Sequence, residues 1–229
     1  FSNLKLDKSN LSGKTFINTD FSNSSLTGSI IMNSEFDNSN FSNSILNNVK
    51  FQRTSITNSV FEGADLSDSD MRQVIISNSN FESVKLNNIN LERSIFEGVN
   101  MKKVDIKESN LLYVKFQNVI LSDANVENSN FESANILQSD FQRANFENNN
   151  IRTAEFTDSN FSGAKISKVY PYSSEYFKGD EIIFSNDTKA DVCLGEGLLV
   201  KIFNRILYQI RQDDSIELEF LERIIINAC

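Results

Sequence analysis

An apolar residue stands at every fifth position of this 229-residue chain from residue 1 to residue 166, without interruption. The 34 positions hold only Phe, Leu, Ile, Val and Met. An α-helix repeats its apolar face every 3.6 residues and a β-strand every second residue, so neither element produces a period of five. A fixed period over so long a stretch predicts a solenoid built from repeated coils of the chain.

A second set of positions, two residues before the apolar ones, carries small or β-branched residues. From residue 4 to residue 169 these positions hold Ser, Thr, Ala or Val at 30 of 34 sites, and the exceptions are Leu4, Lys14, Ile89 and Asn149. Alternate residues of an extended segment point to the same side, so both sets are expected to face inward. Ser fills 14 of these sites, and each buried hydroxyl is expected to bond a neighbouring carbonyl.

Residues twenty positions apart resemble one another more than residues five apart do. Positions 1, 21, 41, 61 and 81 all hold Phe, and positions 6, 26, 46, 66 and 86 all hold Leu. Four five-residue units therefore make one square coil, and successive coils are expected to pair like parallel strands about 4.8 Å apart. About 8.5 coils at that spacing give a rod on the order of 40 Å long.

On the outside of the predicted rod, one column of positions twenty residues apart is rich in Asn. It holds Asn18, Asn38, Asn58, Asn78 and Asn118 and is interrupted by a Gly at position 98. Stacked Asn side chains form hydrogen-bonded ladders. Such a ladder is expected along the rod. Gly at five positions two residues after an apolar centre indicates turns with positive φ.

Several blocks of the sequence carry a family resemblance. Residues 59–63 read SVFEG and residues 64–68 read ADLSD, with similar blocks at residues 124–126 and 164–166. These resemble the A(D/N)LXX motif of the pentapeptide repeat family, over residues 1–169. The resemblance implies an all-β solenoid, the right-handed quadrilateral β-helix, and a non-enzymatic binding surface as the function. The chain departs from the commonest pattern by preferring Ser over Ala at the small inward position.

The composition argues against catalysis and metal binding. The chain contains no His and two Cys, Cys193 and Cys229, both outside the repeat. The commonest general base and metal ligand is therefore absent. Outward carboxylates such as Asp65, Asp70 and Asp140 are interpreted as solubilising residues, because a convex surface offers no burial that would raise a pKa. No catalytic, cofactor or metal site is predicted, and no apolar run is long enough to cross a membrane.

The charge distribution separates two functional hypotheses. Residues 1–169 hold 20 Asp and Glu against 16 Lys and Arg, a net charge of −4. The repeat has no stripe of basic residues that would indicate direct nucleic-acid binding. The family resemblance implies an alternative, an acidic rod that mimics DNA and binds a type II topoisomerase. However, Glu62 and Glu82 are followed in their column by Lys102, which interrupts the single-signed charge that such mimicry needs. The favoured hypothesis is a protein-recognition module.

Three outward apolar residues form a candidate partner-binding patch. Ile75 and Ile95 lie twenty residues apart in one outward column, and Tyr113 stands two residues before Lys115, the next position of that column. Scattered surface apolar residues without a function are the alternative interpretation.

Residues 170–196 differ from the repeat. Pro171 removes a backbone donor directly after the last unit, and Tyr172, Tyr176 and Phe177 follow it closely. These aromatic residues are predicted to cap the open end of the rod, with a ligand-stacking cluster as the alternative. Residues 185–196 are predicted to form a loop.

Residues 197–229 change to a helical period and predict an amphipathic helical hairpin. Its apolar faces are candidates for a cap on the rod or for an interface between chains: Leu199, Phe203, Ile206, Phe220, Leu221 and Ile224. A monomer is expected, and a dimer through these helices is the alternative.

The order of rod and helices is similar to the layout of secreted bacterial effectors, including HECT-like ubiquitin ligases with an N-terminal β-helix. Together with the absence of an initiator Met, this layout predicts a piece of a larger bacterial protein. The expected location is cytoplasmic, or inside a host cell after secretion. The expected partner is another protein.

Overall fold

The computed structural model describes residues 1–169, 177–178 and 189–192, and these form a right-handed all-β solenoid of about 8 coils. One coil takes twenty residues. In the pairing of the first two strands, Phe16 lies opposite Phe36. The predicted solenoid and its twenty-residue coil are confirmed, and the helical hairpin predicted over residues 197–229 lies outside the described residues. We number the four faces of a coil by their apolar centres in the first coil: Phe1, Leu6, Leu11 and Phe16.

All strands of the described residues are short and pair in parallel. In chain order they are β1 Thr15–Ile17, β2 Glu35–Asp37, β3 Ser55–Thr57, β4 Ile75–Ser77, β5 Ile95–Glu97, β6 Asp105–Lys107, β7 Lys115–Gln117, β8 Asn125–Glu127, β9 Asn135–Leu137, β10 Asn145–Glu147, β11 Glu155–Thr157, β12 Lys165–Val169, β13 Phe177–Lys178 and β14 Lys189–Val192.

Two sheets run along the rod on opposite faces. The fourth face carries a sheet of nine strands in the order β1-β2-β3-β4-β5-β7-β9-β11-β13, and the second face carries one of five in the order β14-β12-β10-β8-β6. Within residues 1–169, the first and third faces are joined by isolated parallel bridges, such as that between Asn80 and Asn100. There the chain makes β-turns, in which, for example, the Ser24 amide donates to the Phe21 carbonyl at 3.2 Å.

The interior is a stack of apolar layers. The rings of Phe41 and Phe61 are 4.5 Å apart and those of Phe61 and Phe81 are 4.6 Å apart, each pair tilted by 17°. These spacings match the distance between paired strands, as predicted. Phe16 in the first coil is partly buried, because a neighbouring coil covers it on one side only.

The inward Ser residues hold neighbouring coils together. The Ser69 hydroxyl donates to the Leu46 carbonyl at 2.7 Å and accepts the Val49 amide at 2.9 Å. Bonding of the buried hydroxyls to carbonyls was predicted and is confirmed. Their second role, as acceptors for backbone amides, satisfies donors that would otherwise be buried without a partner.

Asn149, an exception to the small-residue rule, makes the same two bonds as a Ser. It is fully buried. Its Oδ1 accepts the Ser129 amide at 2.9 Å, and its Nδ2 donates to the Val126 carbonyl at 2.9 Å. The larger side chain therefore preserves the hydrogen bonding between coils.

The Asn column is a ladder only in part. Asn38 donates to Asn18 at 2.6 Å as predicted, whereas Asn58 donates to the Asp37 carboxylate at 2.8 Å. A carboxylate is the stronger acceptor, which explains the change of partner. Other Asn pairs bond in columns that were not predicted, as in the bond from Asn100 to Asn80 at 2.9 Å.

Both sheets continue beyond Val169. β13 pairs with β11 and β14 pairs with β12. The loop predicted over residues 185–196 is therefore wrong at Lys189–Val192. Parallel pairing there gives hydrogen-bond partners to backbone groups at the edge of β12. Phe177 belongs to β13. The other candidate cap or interface residues lie outside the described residues: Tyr172, Tyr176, Leu199, Phe203, Ile206, Phe220, Leu221 and Ile224.

Candidate recognition surface

The corners of the rod impose one backbone conformation. At each of the 33 positions two residues after an apolar centre, from residue 3 to residue 163, φ is positive, at 28 non-glycine residues and 5 glycines. Gly reaches this region without strain, and Asn and Asp reach it more easily than other residues do. Together these three types fill 21 of the 33 positions, as 13 Asn, 3 Asp and 5 Gly. The corner position thus selects for turn residues.

Long side chains occur at all four corners of the rod, but they are most frequent at one. Between the third and fourth faces, four successive coils place Arg53, Gln73, Arg93 and Tyr113 at φ values of 59°, 60°, 58° and 58°. We call these four residues the Arg–Tyr corner. A long side chain in the left-handed region costs roughly 1–2 kcal/mol. The corner therefore holds residues that the backbone conformation disfavours.

Backbone hydrogen bonds fix the spacing of the Arg–Tyr corner. The Arg53 amide donates to the Arg72 carbonyl at 3.1 Å, and the Arg93 amide donates to the Leu112 carbonyl at 3.0 Å. Each corner residue is thus tied to the coil that follows. The four side chains emerge in a row parallel to the axis of the rod.

Tyr113 and Arg93 form a stacked pair within this row. The Arg93 guanidinium carbon lies 5.2 Å from the centroid of the Tyr113 ring, and one of its nitrogens donates to the Glu92 carboxylate at 2.6 Å. The Tyr113 residue is 45% exposed. This cation–π contact orients the ring while leaving much of it open to solvent.

The predicted apolar residues lie beside the Arg–Tyr corner. Ile75 and Ile95 are directly paired in adjacent strands of the fourth face, and Lys115 follows in the same register. Ile75 is 51% exposed, and Ile95 is half-buried. We call Ile75 and Ile95 the apolar patch. The structure thus brings the two Ile residues together and places Tyr113 at the adjoining corner.

A shallow cavity of about 230 Å³ opens on the same corner, and sequence reasoning missed it. It is lined by Met32, Gln52, Arg53, Arg72, Gln73, Glu92 and Arg93. The signal that would have revealed it is the run of Arg, Gln, Arg and Tyr from position 53 to position 113 of one column, where other corners carry many Asn and Gly residues.

An ion pair forms one wall of the cavity. Arg72 donates to both carboxylate oxygens of Asp70, at 2.9 Å from Nε and 2.6 Å from a terminal nitrogen, and Gln52 donates to the same carboxylate at 2.6 Å. Partial burial alone would raise the pKa of Asp70, but the hydrogen bonds and charge of Arg72 outweigh it and hold the pKa below its usual range. Asp70 is therefore ionised at neutral pH and is unsuited to act as a proton donor.

Outward carboxylates also shape the turns. Asp65, Asp70 and Asp140 each accept the backbone amide two residues later, at 3.0, 3.2 and 3.0 Å. This Asx-turn bond stabilises the start of the corner. The predicted role of these residues, solubility alone, is therefore incomplete.

Two further findings concern the described part of the chain. It holds no cluster of three or more His, Cys, Asp or Glu residues placed to bind a metal ion. It also holds no helix with the length and apolarity that crossing a bilayer requires.

The sequence profile described as Pentapeptide repeats matches residues 1–33, 34–73, 75–112 and 109–148. The chain belongs to the pentapeptide repeat family. Proteins of this family are generally non-enzymatic scaffolds or recognition modules. No curated protein sequence matches the chain.

Several solved pentapeptide repeat structures are similar to the rod. HetL, involved in heterocyst differentiation regulation in the cyanobacterium Nostoc, is 13% identical over 80% of this chain and 87% of its own, with a TM-score of 0.42. QnrB1, a plasmid-mediated fluoroquinolone resistance protein, is 15% identical over 82% and 97%, with a TM-score of 0.35. A protein of the Arabidopsis thaliana thylakoid lumen is 30% identical over 53% and 71%, with a TM-score of 0.23.

These comparisons do not support the predicted link to HECT-like effectors. That link stays a prediction from the layout of the chain.

Proposed function

We propose that the rod is a non-catalytic protein-recognition module, and that it contacts its partner through the apolar patch and the Arg–Tyr corner. The proposal rests chiefly on Tyr113. This residue combines a positive φ with an exposed aromatic ring at the corner adjoining Ile95, which is half-buried and pairs with the exposed Ile75.

Folding gives no reason for Tyr at position 113. The ring is largely outside the core, and Asn or Gly would fit the same backbone conformation at lower cost. A side chain kept in a disfavoured conformation is a reason to look for a function. Tyr and Arg dominate the binding energy of many protein interfaces, because they combine a large contact area with polar groups.

The neighbouring surface suits a protein partner. The Ile75–Ile95 pair offers apolar contact, Tyr113 offers an aromatic face, and the arginines of the corner offer hydrogen-bond donors. An apolar centre edged by polar groups is typical of protein interfaces.

Charge elsewhere on the rod is paired between coils. Lys85 lies 3.9 Å from Asp65, and Arg143 lies 2.6 Å from Asp123, in each case twenty residues apart. Alternating signs along the axis differ from the continuous negative charge of a DNA strand. The topoisomerase alternative thus gains no support from the rod and stays a prediction.

A matched pair of variants tests the proposal. The full chain is used to capture a partner from its source cells, and the affinity of the identified partner is measured by calorimetry. Ile75→Asp combined with Ile95→Asp should weaken binding at least tenfold while the melting temperature stays nearly constant. Ile45→Asp is the control, because Ile45 is 50% exposed on the opposite second face. Equal affinity of the double variant and the wild type would remove this surface from consideration.

A monomeric state, a larger parent protein and delivery into a host cell stay predictions. They depend on residues 197–229 and on the layout of the chain.

A further inference from the structure

The cavity at the Arg–Tyr corner carries an uncompensated positive charge. Arg72 is paired with Asp70, and Arg93 is paired with Glu92. Within residues 1–169, the structure gives the Arg53 side chain no ion pair and no hydrogen bond, and Arg53 is exposed. Its guanidinium is therefore free to bind an anionic group. Arginine is suited to this because its planar group bonds both oxygens of a carboxylate.

The two carboxylates beside the cavity are already bonded to other residues. Asp70 accepts hydrogen bonds from Arg72 and Gln52, and Glu92 accepts one from Arg93. Arg53 is therefore the group of the cavity that an anionic ligand can pair with.

An acidic peptide supplies the anionic group, and the apolar patch supplies a second contact. Ile75 lies one coil beyond Arg53, and Ile95 lies two coils beyond it. With the offset of two residues across the rung, the separations are about 8–12 Å, and an extended peptide covers about 3.3 Å per residue. An acidic side chain at Arg53 would therefore place a residue two to four positions away over the Ile pair.

We propose that the Arg–Tyr corner binds an extended acidic segment of the partner protein, in which an Asp or Glu lies two to four residues from an apolar side chain. The carboxylate pairs with the Arg53 guanidinium, and the apolar side chain packs on Ile75 and Ile95. This inference rests on the proposed function and names the chemistry of the partner.

The test begins with random twelve-residue peptides displayed on phage and selected on the full chain. The wild type should enrich peptides with an acid two to four residues from an apolar residue. The Arg53→Glu variant should not enrich them. The control is Lys102→Glu, which makes the same change of charge at the diagonally opposite corner of the rod. Enrichment of peptides without an acid, or no enrichment above background, would overturn the inference.

Synthetic copies of an enriched peptide then give affinities by fluorescence anisotropy. Arg53→Glu should weaken binding at least tenfold, as should replacing the acidic residue of the peptide by its amide. Lys102→Glu should stay within about twofold of the wild type, because exposed charges more than about 8–10 Å apart are largely screened at physiological salt. Equal weakening in both variants, or tighter binding of a phosphopeptide or of duplex DNA, would reject the acidic segment.

The outcome is separable from that of the proposed function. If Ile75→Asp with Ile95→Asp abolishes partner binding while Arg53→Glu has no effect, the recognition surface stands and the acidic segment is rejected.

Discussion

The two corners that flank the fourth face require the same backbone conformation, a positive φ, but carry different side chains. The corner after this face holds Asn18, Asn38, Asn58, Asn78, Gly98 and Asn118, which we call the Asn corner. Its φ values run from 49° at Asn78 to 62° at Gly98. The Arg–Tyr corner has φ values from 58° to 60°. The conformations are alike, yet only the Asn corner carries the residues that the left-handed region prefers.

The Asn corner therefore serves as an internal reference. It shows which residues the fold alone favours at this position, and its short side chains can also bond between coils, as Asn38 does with Asn18. The Arg–Tyr corner gives up part of that stability and gains a cavity, a free guanidinium and an exposed ring. Such a loss in four successive coils of one corner is a reason to look for a functional surface there.

The first test sets the energy scale for the comparison. Phe61 lies fully buried between two stacked rings. Phe61→Ala should lower the free energy of unfolding by about 3–5 kcal/mol, because it leaves a cavity. Denaturant titration measures this value, and amide exchange shows whether the loss stays local. A loss below that of the corner variants would contradict the inward stacking.

The second test imposes the side chain of one corner on the other. Asn78→Tyr places a bulky residue at φ 49° in the Asn corner. It should destabilise the rod by roughly 1–2 kcal/mol, since no Arg is placed there to stack on the ring. Asn78→Gly is the control and should be close to neutral. An unchanged free energy of unfolding in Asn78→Tyr would contradict the backbone strain inferred for the Arg–Tyr corner.

The third test reverses the exchange. Tyr113→Asn should stabilise the rod by about 0.5–1 kcal/mol, because relief of the backbone exceeds the loss of the cation–π contact. The same change should weaken partner binding. In an Arg93→Gln background the gain in stability should be larger, since the cation–π contact is already absent. Stabilisation without any loss of binding would separate Tyr113 from recognition.

The smallest effect concerns acid sensitivity at the two corners. The pKa of Asp37 is lowered by hydrogen bonds from Asn58 and Thr57, and that of Asp70 is lowered because Arg72 outweighs its burial. A lowered pKa contributes stability above the ordinary value, near pH 4, and this stability is lost as the pH falls through the folded-state value.

Melting temperatures between pH 7 and pH 3 measure this effect. The wild type should lose stability below about pH 4 more steeply than Asp37→Asn or Asp70→Asn. Identical pH profiles of the three proteins would show that these hydrogen bonds do not stabilise the fold.

The repeat, its core and the bonding of the inward Ser residues could be predicted from the sequence. A strict period leaves few ways to bury Phe61 and its equivalents, and a buried hydroxyl such as that of Ser69 must find a partner. The pairing of Ile75 with Ile95 followed from their twenty-residue spacing. Each of these properties repeats along the chain, and the repetition makes it predictable from the sequence.

Properties that do not repeat were harder to predict. The second face forms bridges while its centres are Leu, up to Leu86, and strands from Ile106 onward. β-branched and aromatic residues favour strands more than Leu does, but the sequence does not show where that preference becomes decisive. The cavity depends on how Arg72 and Gln52 converge on Asp70, which is a matter of rotamers rather than of period.

The backbone bonds between coils, such as that from the Phe21 amide to the Asn40 carbonyl at 2.7 Å, run along the axis of the rod. A tensile force applied to the two ends would therefore load them one coil at a time rather than together. Each released coil of twenty residues would add about 70 Å of contour length. Stretched between two attachment points, such a rod would unfold coil by coil at low force, in equal steps, and would limit the tension between those points.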